Sequence, residues 1–287
     1  MNPARRMWTL FEPIHVVTYF TPEARATADA LGMRGFWMGY AAQRVAPLGA
    51  ASAAITTAAF FGFHPDRIGR ALPDAWTLTT PAAALAARLA GADAALRRLW
   101  GAGRAAAPET AEAADLAWQA AAVADCAGRV LGAANQALPR PDQPHVALWQ
   151  AATTLREHRG DGHVAALVAR GITPVQSHLI KAAAGESDGE VLRTGRKFDE
   201  ATWAEGAATL RTDGVLTAEG RLTAAGRRLH SEIEDATDAA AAAPWRVLGE
   251  GATNRLACLL GPLAAAVLES GTLPQPNPVG LVTGRAG

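Results

Sequence analysis

The chain has 287 residues with 27 basic and 27 acidic side chains and a formal charge of zero, which removes any net pull toward nucleic acid or an anionic membrane. Apolar residues make up 49% and charged residues 19%, enough for a sizeable core in one large or two modest domains and too apolar for disorder. Cys126 and Cys258 form no CxxC pair, so a disulfide framework and a cysteine zinc site are excluded and a reducing cytoplasm is the expected location.

Met1 to Thr9 carries Arg5 and Arg6 but lacks the apolar run and small-residue cleavage site of a signal peptide. Beyond it, helix punctuation recurs. A Thr N-cap followed by Pro at the first helical position satisfies one orphan backbone donor and removes another; Thr21-Pro22, Thr80-Pro81 and Thr173-Pro174 have this form. They predict helices over Glu23 to Ala46, Ala82 to Trp100 and Val175 to Ala184, the last ended by Gly185. Val45 to Phe63 carries no formal charge, but its Ala, Gly, Ser and Thr content with Pro47 and Gly49 reads as a buried core helix rather than a membrane span. The alanine-rich Pro108 to Leu138 stretch reads as one long helix. Gly/Pro-rich links fall near residues 101–108 and 138–144. The second is taken to separate a helical N-terminal domain (1–140) from a C-terminal domain (141–270), followed by a Pro/Gly-rich tail (271–287).

From Val164 onward the order is helix, Gly171 turn, helix, linker, helix over Ala201 to Thr212, and a small hairpin over Gly214 to Thr223. Further helices are expected over Ala224 to Ala243 and Leu256 to Leu268. The middle part is the order of a winged helix-turn-helix, whose second helix is presented to a DNA major groove. The expected fold class is therefore mainly α: a helical bundle with a winged helix-turn-helix in the C-terminal half. A weak likeness between Trp37 to Ile68 and Trp149 to Ile180 leaves a divergent internal duplication open. Gln176, Ser177, His178 and Lys181 are the candidate DNA-binding residues, with Arg193, Arg196, Lys197, Arg211 and Arg221 as a basic rim. That is a thin cationic surface for phosphate neutralisation.

Two polar clusters are candidate ligand sites. Arg156-Glu157-His158-Arg159-Gly160-Asp161-Gly162-His163 is the denser. Its glycines permit a tight turn in which backbone N–H groups and Arg159 converge on a carboxylate or phosphate. The competing reading is a helix C-terminus with Asp161 capping the next helix. The second cluster is Glu12, His15, Tyr40, Arg44 and His64 among Trp37 and several phenylalanines. Glu12 and His15 have the Glu-x-x-His spacing of di-iron bundles, but such a bundle needs two such motifs and two more glutamates, so no metal is expected. A buried Arg44–Glu12 ion pair, or an aromatic-walled pocket for a small organic acid with arginine at its base, fits these residues. The Glu232, Glu234, Asp235 and Asp238 patch reads as a solvated face or as salt bridges to Arg227 and Arg228.

The Leu155 to His163 run, the Gly214 to Gly226 segment, Glu232 to Asp238, Tyr40/Arg44/Pro47-Leu-Gly49 and Phe61-Gly-Phe-His-Pro65 resemble the actinobacterial SalK-like helix-turn-helix family over nearly the whole chain. The resemblance implies a helical protein with a winged-helix part distantly similar to MarR regulators, and no settled activity or catalytic residue. There is no Gly-x-Ser-x-Gly elbow, phosphate loop or Rossmann fingerprint, so the catalytic residues and the cofactor are unknown. The expected function is a ligand-responsive regulator or small-molecule-binding module. Its ligand-binding candidates are Glu12, His15, Trp37, Tyr40, Arg44, His64, His158, Arg159, Asp161 and His163; its expected partners are a small organic anion, DNA and a second copy in a homodimer, with no membrane. The alternative is a metabolic or tailoring enzyme in which His158, Asp161 and His163 with Glu157 move protons and the winged helix is scaffold.

Overall fold

The computed structural model of the chain describes residues 2–274, 277 and 279–281. The first helices are α1 (Pro3–His15), α2 (Val17–Phe20), α3 (Pro22–Ala30) and α4 (Gly35–Val45), then a 3-10 turn over Ala46–Leu48. Next come α5 (Ala53–Phe60), α6 (Pro65–Gly69), α7 (Ala75–Leu78), α8 (Pro81–Trp100), α9 (Ala102–Ala105), α10 (Pro108–Ala122) and α11 (Val130–Gln136). The second half holds α12 (Pro144–Val168), α13 (Pro174–Ala183), α14 (Gly189–Arg196), α15 (Glu200–Thr212), α16 (Ala224–Ala240), α17 (Ala243–Leu248) and α18 (Glu250–Glu269). All three Thr-Pro starts cap as expected: the hydroxyls of Thr21, Thr80 and Thr173 accept from the backbone N–H three residues on. Thr173 goes further, forming a reciprocal capping box with Gln176.

Several expected elements differ. The helix expected over Glu23 to Ala46 is broken between α3 and α4, where Gly32 and Gly35 take positive φ that a helix cannot carry. Pro108 to Leu138 is two helices, not one. Val45 to Phe63 is no long buried helix: only the eight residues of α5 are α-helical, and Ile55 is 56% exposed. The linker before Ala201 contains α14, capped by the Asp188 carboxylate. The expected hairpin reduces to one antiparallel bridge, Leu216 to Leu222, with no strand among the described residues. Most consequential, no turn occurs at Gly160 or Gly162; α12 runs unbroken for 25 residues through both.

Gly162, with Gly132 of α11, serves packing instead. A Cβ on Gly162 would meet Arg129 Nη1 at 2.5 Å and the Ala240 methyl at 3.1 Å, and one on Gly132 would meet the His158 Cα at 3.0 Å. Small residues thus let α11 and α16 lie close against α12. The main core holds Trp149, Leu148 and Leu155 of α12 with Met7, Phe11 and Ile14 of α1, Ala113 and Ala117 of α10, and Leu256 and Leu260 of α18. It crosses the expected 138–144 division without a break, because α12 is the axis on which the N-terminal helices pack. A second core gathers Met33, Met38, Val45, Phe60, Phe63 and Leu131. A third, separate core of Val175, Leu179, Phe198, Leu210, Val215, Leu216 and Leu222 holds residues 174–222 together as a unit.

The two similar pieces, Trp37 to Ile68 and Trp149 to Ile180, take different local structures: the first runs through α4, a 3-10 turn, α5 and α6, the second through α12 and α13. Among the described residues one helix, α18, is long and apolar enough to cross a membrane; it carries Pro262 and lays Leu256, Leu260, Leu263 and Val267 into the main core. In the tail, Leu273 and Leu281 pack on Val16; residues 275, 276, 278 and 282–287 of that expected segment lie outside the described residues.

Candidate functional site

Helical periodicity places polar side chains from several helices around one cavity of about 1190 Å³. On α1, Arg5, Trp8 and Glu12 fall three and four residues apart and so share a face. Arg156, Arg159 and His163 repeat that spacing on α12, Tyr40 and Arg44 lie one turn apart on α4, and Ser177 and Lys181 do the same on α13. His230, Glu234 and Thr237 of α16 and Arg196 at the end of α14 complete the polar lining, against apolar walls from Phe60, Phe63, Leu167, Ile180 and Leu268.

One end of the cavity is lined by Arg44 and Arg156, which share the buried Glu157 behind the wall. Arg44 grips it through two bonds, Nε to Oε1 at 2.8 Å and Nη2 to Oε2 at 3.0 Å, and donates Nη1 to the Tyr40 hydroxyl at 2.9 Å. Arg156 donates to the same carboxylate at 2.8 Å. Burial disfavours the Glu157 charge, but Arg156 and Arg44 outweigh it and hold the carboxyl well below its usual range. Burial likewise disfavours the Arg44 cation, and Glu157 with Tyr40 outweighs that. The expected Arg44–Glu12 pair is therefore corrected: Arg44 is buried, but its partner is Glu157, because the unbroken α12 brings that carboxylate inward. Glu12 accepts from Trp8 Nε1 at 3.1 Å and lies 3.7 Å from Arg156; burial raises its pKa.

Arg196 reaches this end from the 174–222 unit, its guanidinium 4.2 Å above the Phe63 ring. Burial lowers its pKa, and Arg44 and Arg156 lower it further while the Tyr40 hydroxyl bonds it. Among the described residues no carboxylate lies within ion-pair distance of Arg196.

The charges at the other end are paired with one another, although Arg159 Nη1 makes no hydrogen bond. Arg5 bridges Glu234 at 2.5 Å and Asp238 at 3.1 Å, and Arg159 lies 2.7 Å from Asp238. Glu234 and Asp238 thus face inward to Arg5 and Arg159, not outward to Arg227 and Arg228. His163 shares a 2.9 Å bond with Thr237, and burial pushes its pKa down to about 4, so it is neutral near pH 7. Asp161 sits between the ends. Burial pushes its pKa up to about 6 although it accepts the Gly132 N–H at 2.8 Å.

Of the candidate residues, Glu12, Tyr40, Arg44, Arg159, Asp161 and His163 come together at this cavity, joined by Ser177, His178 and Lys181. His15, Trp37, His64, His158 and Gln176 do not line it. His15 is buried against Thr153 at 3.0 Å, Trp37 packs on Tyr40 and Phe63, and His64 caps α6. His158 turns away to the Asp125 carbonyl at 3.0 Å, with its pKa lowered to about 4 by burial. The proton-transfer set of Glu157, His158, Asp161 and His163 therefore does not converge, since successive residues on one helix point to different sides. Sequence patterns alone did not assign Arg5, Trp8, His230 or Glu234 to a ligand site; Arg156 entered only as the start of the 156–163 cluster, and Arg196 as part of a basic rim beside the DNA-binding candidates. The i, i+3, i+7 spacing of Arg5, Trp8 and Glu12 is the signal that finds the first of these.

The expectation that α13 lies open to a DNA groove is also corrected. No residue of α13 is fully exposed. Val175 and Leu179 turn into the unit's own core. The Gln176 side chain accepts the Thr173 N–H at 2.9 Å, and the Ser177 hydroxyl donates to the Pro174 carbonyl at 2.7 Å. His178 Nε2 lies 2.7 Å from the Gly62 carbonyl oxygen, and burial pushes its pKa down to about 3. Among the described residues no group of three or more His, Cys, Asp or Glu is placed to hold a metal ion.

No match is found among curated proteins or among solved structures. A family model described as a helix-turn-helix family matches residues 4–274, the cavity-forming helices and the 174–222 unit together. The chain belongs to this helix-turn-helix family.

Proposed function

We propose that this helix-turn-helix protein is a small-molecule-binding module, with the cavity as its ligand site and a small organic anion as its ligand. The observation that carries the reading is the presence of Arg44, Arg156 and Arg196 in the lining of one aromatic-walled cavity, where among the described residues the buried Glu157 is the one carboxylate at hydrogen-bond distance from any of them and Glu12 lies 3.7 Å from Arg156. A concave site with apolar walls and a few convergent charges is the usual form of a ligand pocket. Native mass spectrometry of the purified protein, with a titration of 1-naphthoate followed by its own fluorescence, tests it: a bound small mass or saturable one-to-one binding is expected. Absence of both overturns it.

A ligand-responsive regulator is the second reading, favoured by family membership and by the separate core of the 174–222 unit. It requires α13 to leave the cavity wall before Gln176, Ser177, His178 and Lys181 meet DNA. A salt-dependent DNA-binding assay with sequence from the gene's own locus tests it, and absence of affinity at low salt removes it. The two free cysteines support a reducing, cytoplasmic setting, and the SalK-like resemblance supports a homodimer for the regulator.

A further inference from the structure

The anion site is divided between two bodies of side chains. Arg44 and Arg156 stand on α4 and α12, which pack into the larger cores, whereas Arg196 ends α14, inside the unit that has its own small core. The seam between them is polar. His178 meets the Gly62 carbonyl at 2.7 Å, Arg67 donates to the Thr194 carbonyl at 2.8 Å, Lys197 pairs with Asp66 at 2.9 Å, and the His64 N–H donates to the Arg196 carbonyl at 3.1 Å. Polar contacts of this kind exchange with water at little net cost, so such a seam opens more readily than an apolar one. Arg44 and Arg156 on one side of the seam and Arg196 on the other line the same cavity, and the first two already share one carboxylate, Glu157. A like-charge cluster out of bulk water is favourable only when further anionic charge completes it.

We propose that the ligand's carboxylate completes this cluster by bonding Arg196 together with Arg44 or Arg156, so that an aromatic or otherwise apolar organic acid acts as a clasp holding the 174–222 unit against the body. The inference rests on the ligand-site reading above and adds the ligand's chemical class and a consequence. The acid group sits at the arginines, the apolar part lies along Phe60, Phe63 and Ile180, and occupancy determines how tightly α13 is covered. A neutral ligand of the same shape fills the volume but leaves the cluster repelling itself, so it does not close the seam.

The test compares 1-naphthoate with its neutral isostere 1-naphthamide on the full chain and on Arg196→Gln, a substitution that keeps hydrogen-bonding capacity and removes the charge. Naphthoate is expected to bind the variant at least tenfold more weakly than the parent, with naphthamide unchanged between the two. Hydrogen exchange of residues 62–67 and 174–198 is expected to slow several-fold with naphthoate in the parent and not in the variant. Equal naphthoate affinity in parent and variant overturns the divided arginine site while leaving the cavity reading intact. Weaker binding by the variant with unchanged exchange at the seam in the parent overturns the clasp. Failure of the parent to bind naphthoate saturably overturns both. Circular dichroism of Arg196→Gln guards against a folding defect, and Lys197→Gln, which loses a seam ion pair outside the cavity, is expected to keep naphthoate affinity within twofold; a tenfold loss there overturns the assignment of the effect to Arg196.

Discussion

The two ends of the cavity use the same residue types to opposite effect. At one end Arg5 and Arg159 meet Glu234 and Asp238, two cations against two anions, and the four side chains tie α1, α12 and α16 together. At the other, Arg44 and Arg156 share Glu157, Glu12 lies 3.7 Å from Arg156 with its pKa raised by burial, and Arg196, stacked on Phe63, has no carboxylate within ion-pair distance among the described residues. The first arrangement balances its charges within itself, with Arg159 Nη1 as its one buried atom lacking a hydrogen bond, and ties the helices together. The second has cationic capacity left over beside aromatic walls, the condition under which a buried arginine cluster becomes a binding site rather than a brace. An arginine in a cavity therefore points to a ligand only when its counter-charge is missing.

The comparison breaks most visibly at Glu157. Replacing it with alanine leaves Arg44 and Arg156 buried without their shared anion, and a loss of about 3–5 kcal/mol in urea unfolding is expected. Because its pKa is depressed in the fold, the Glu157 contribution is fully present above the usual carboxylate range and is lost as pH falls below it. The acid side of the parent's stability curve should accordingly be steeper than that of the variant. At the closed end, Asp238→Ala frees Arg159 and half of the Arg5 pairing; a loss of about 2 kcal/mol is expected because the Asp238 and Arg159 side chains are 7% and 8% exposed. Equal losses at the two ends would show that Glu157 is no more central than Asp238.

Asp161 sharpens the contrast through pH. Its pKa is raised to about 6 in the fold against an ordinary value near 3.8, so the folded protein holds the proton longer than the unfolded chain. Its favourable term is present below the ordinary value and is lost as pH rises through about 6. Asp161→Asn, which can still accept the Gly132 N–H, should remove a decline of roughly 2 kcal/mol between pH 4 and 6. A parent curve that rises throughout that window, with no change in the variant, would contradict the burial of this carboxyl. The smallest stability effect belongs to Arg196→Gln. Relief of repulsion offsets the loss of its stacking on Phe63, so thermal unfolding should move by no more than about 1 kcal/mol, in the stabilising direction. A loss comparable to that of Glu157→Ala would mean that Arg196 is paired after all.

Local chemistry made much of the fold legible. Each Thr-Pro start is a helix start because cap and missing donor are properties of two adjacent residues, and Tyr40 with Arg44 was recognisable as one face of a helix. What the sequence hid was tertiary. Gly160 and Gly162 carry the same letters as a tight turn, yet both lie inside α12, where Gly162 is the contact point for Arg129 and for Ala240 of α16. Reading them as a turn erased the face that aligns Arg156, Arg159 and His163, and with it the union of the two polar clusters into one cavity. Glu234 and Asp238 of α16 looked solvated, as Glu232 and Asp235 are, because their partner Arg5 is 229 residues away from Glu234 in the chain. Arg196 looked like part of a DNA-facing rim because its position follows from how the 174–222 unit docks, which no local pattern encodes. The same docking turns α13 inward, so the order helix, turn, helix was read correctly while the face it presents was not.

The most direct measurement is a crystal structure of the protein soaked with 4-iodobenzoate, with the iodine located by anomalous scattering. The account predicts an iodine peak among Phe60, Phe63 and Ile180, with the carboxylate within hydrogen-bond distance of Arg196 and of Arg44 or Arg156. An empty cavity, or a carboxylate lodged at Arg5 and Arg159 instead, would contradict it.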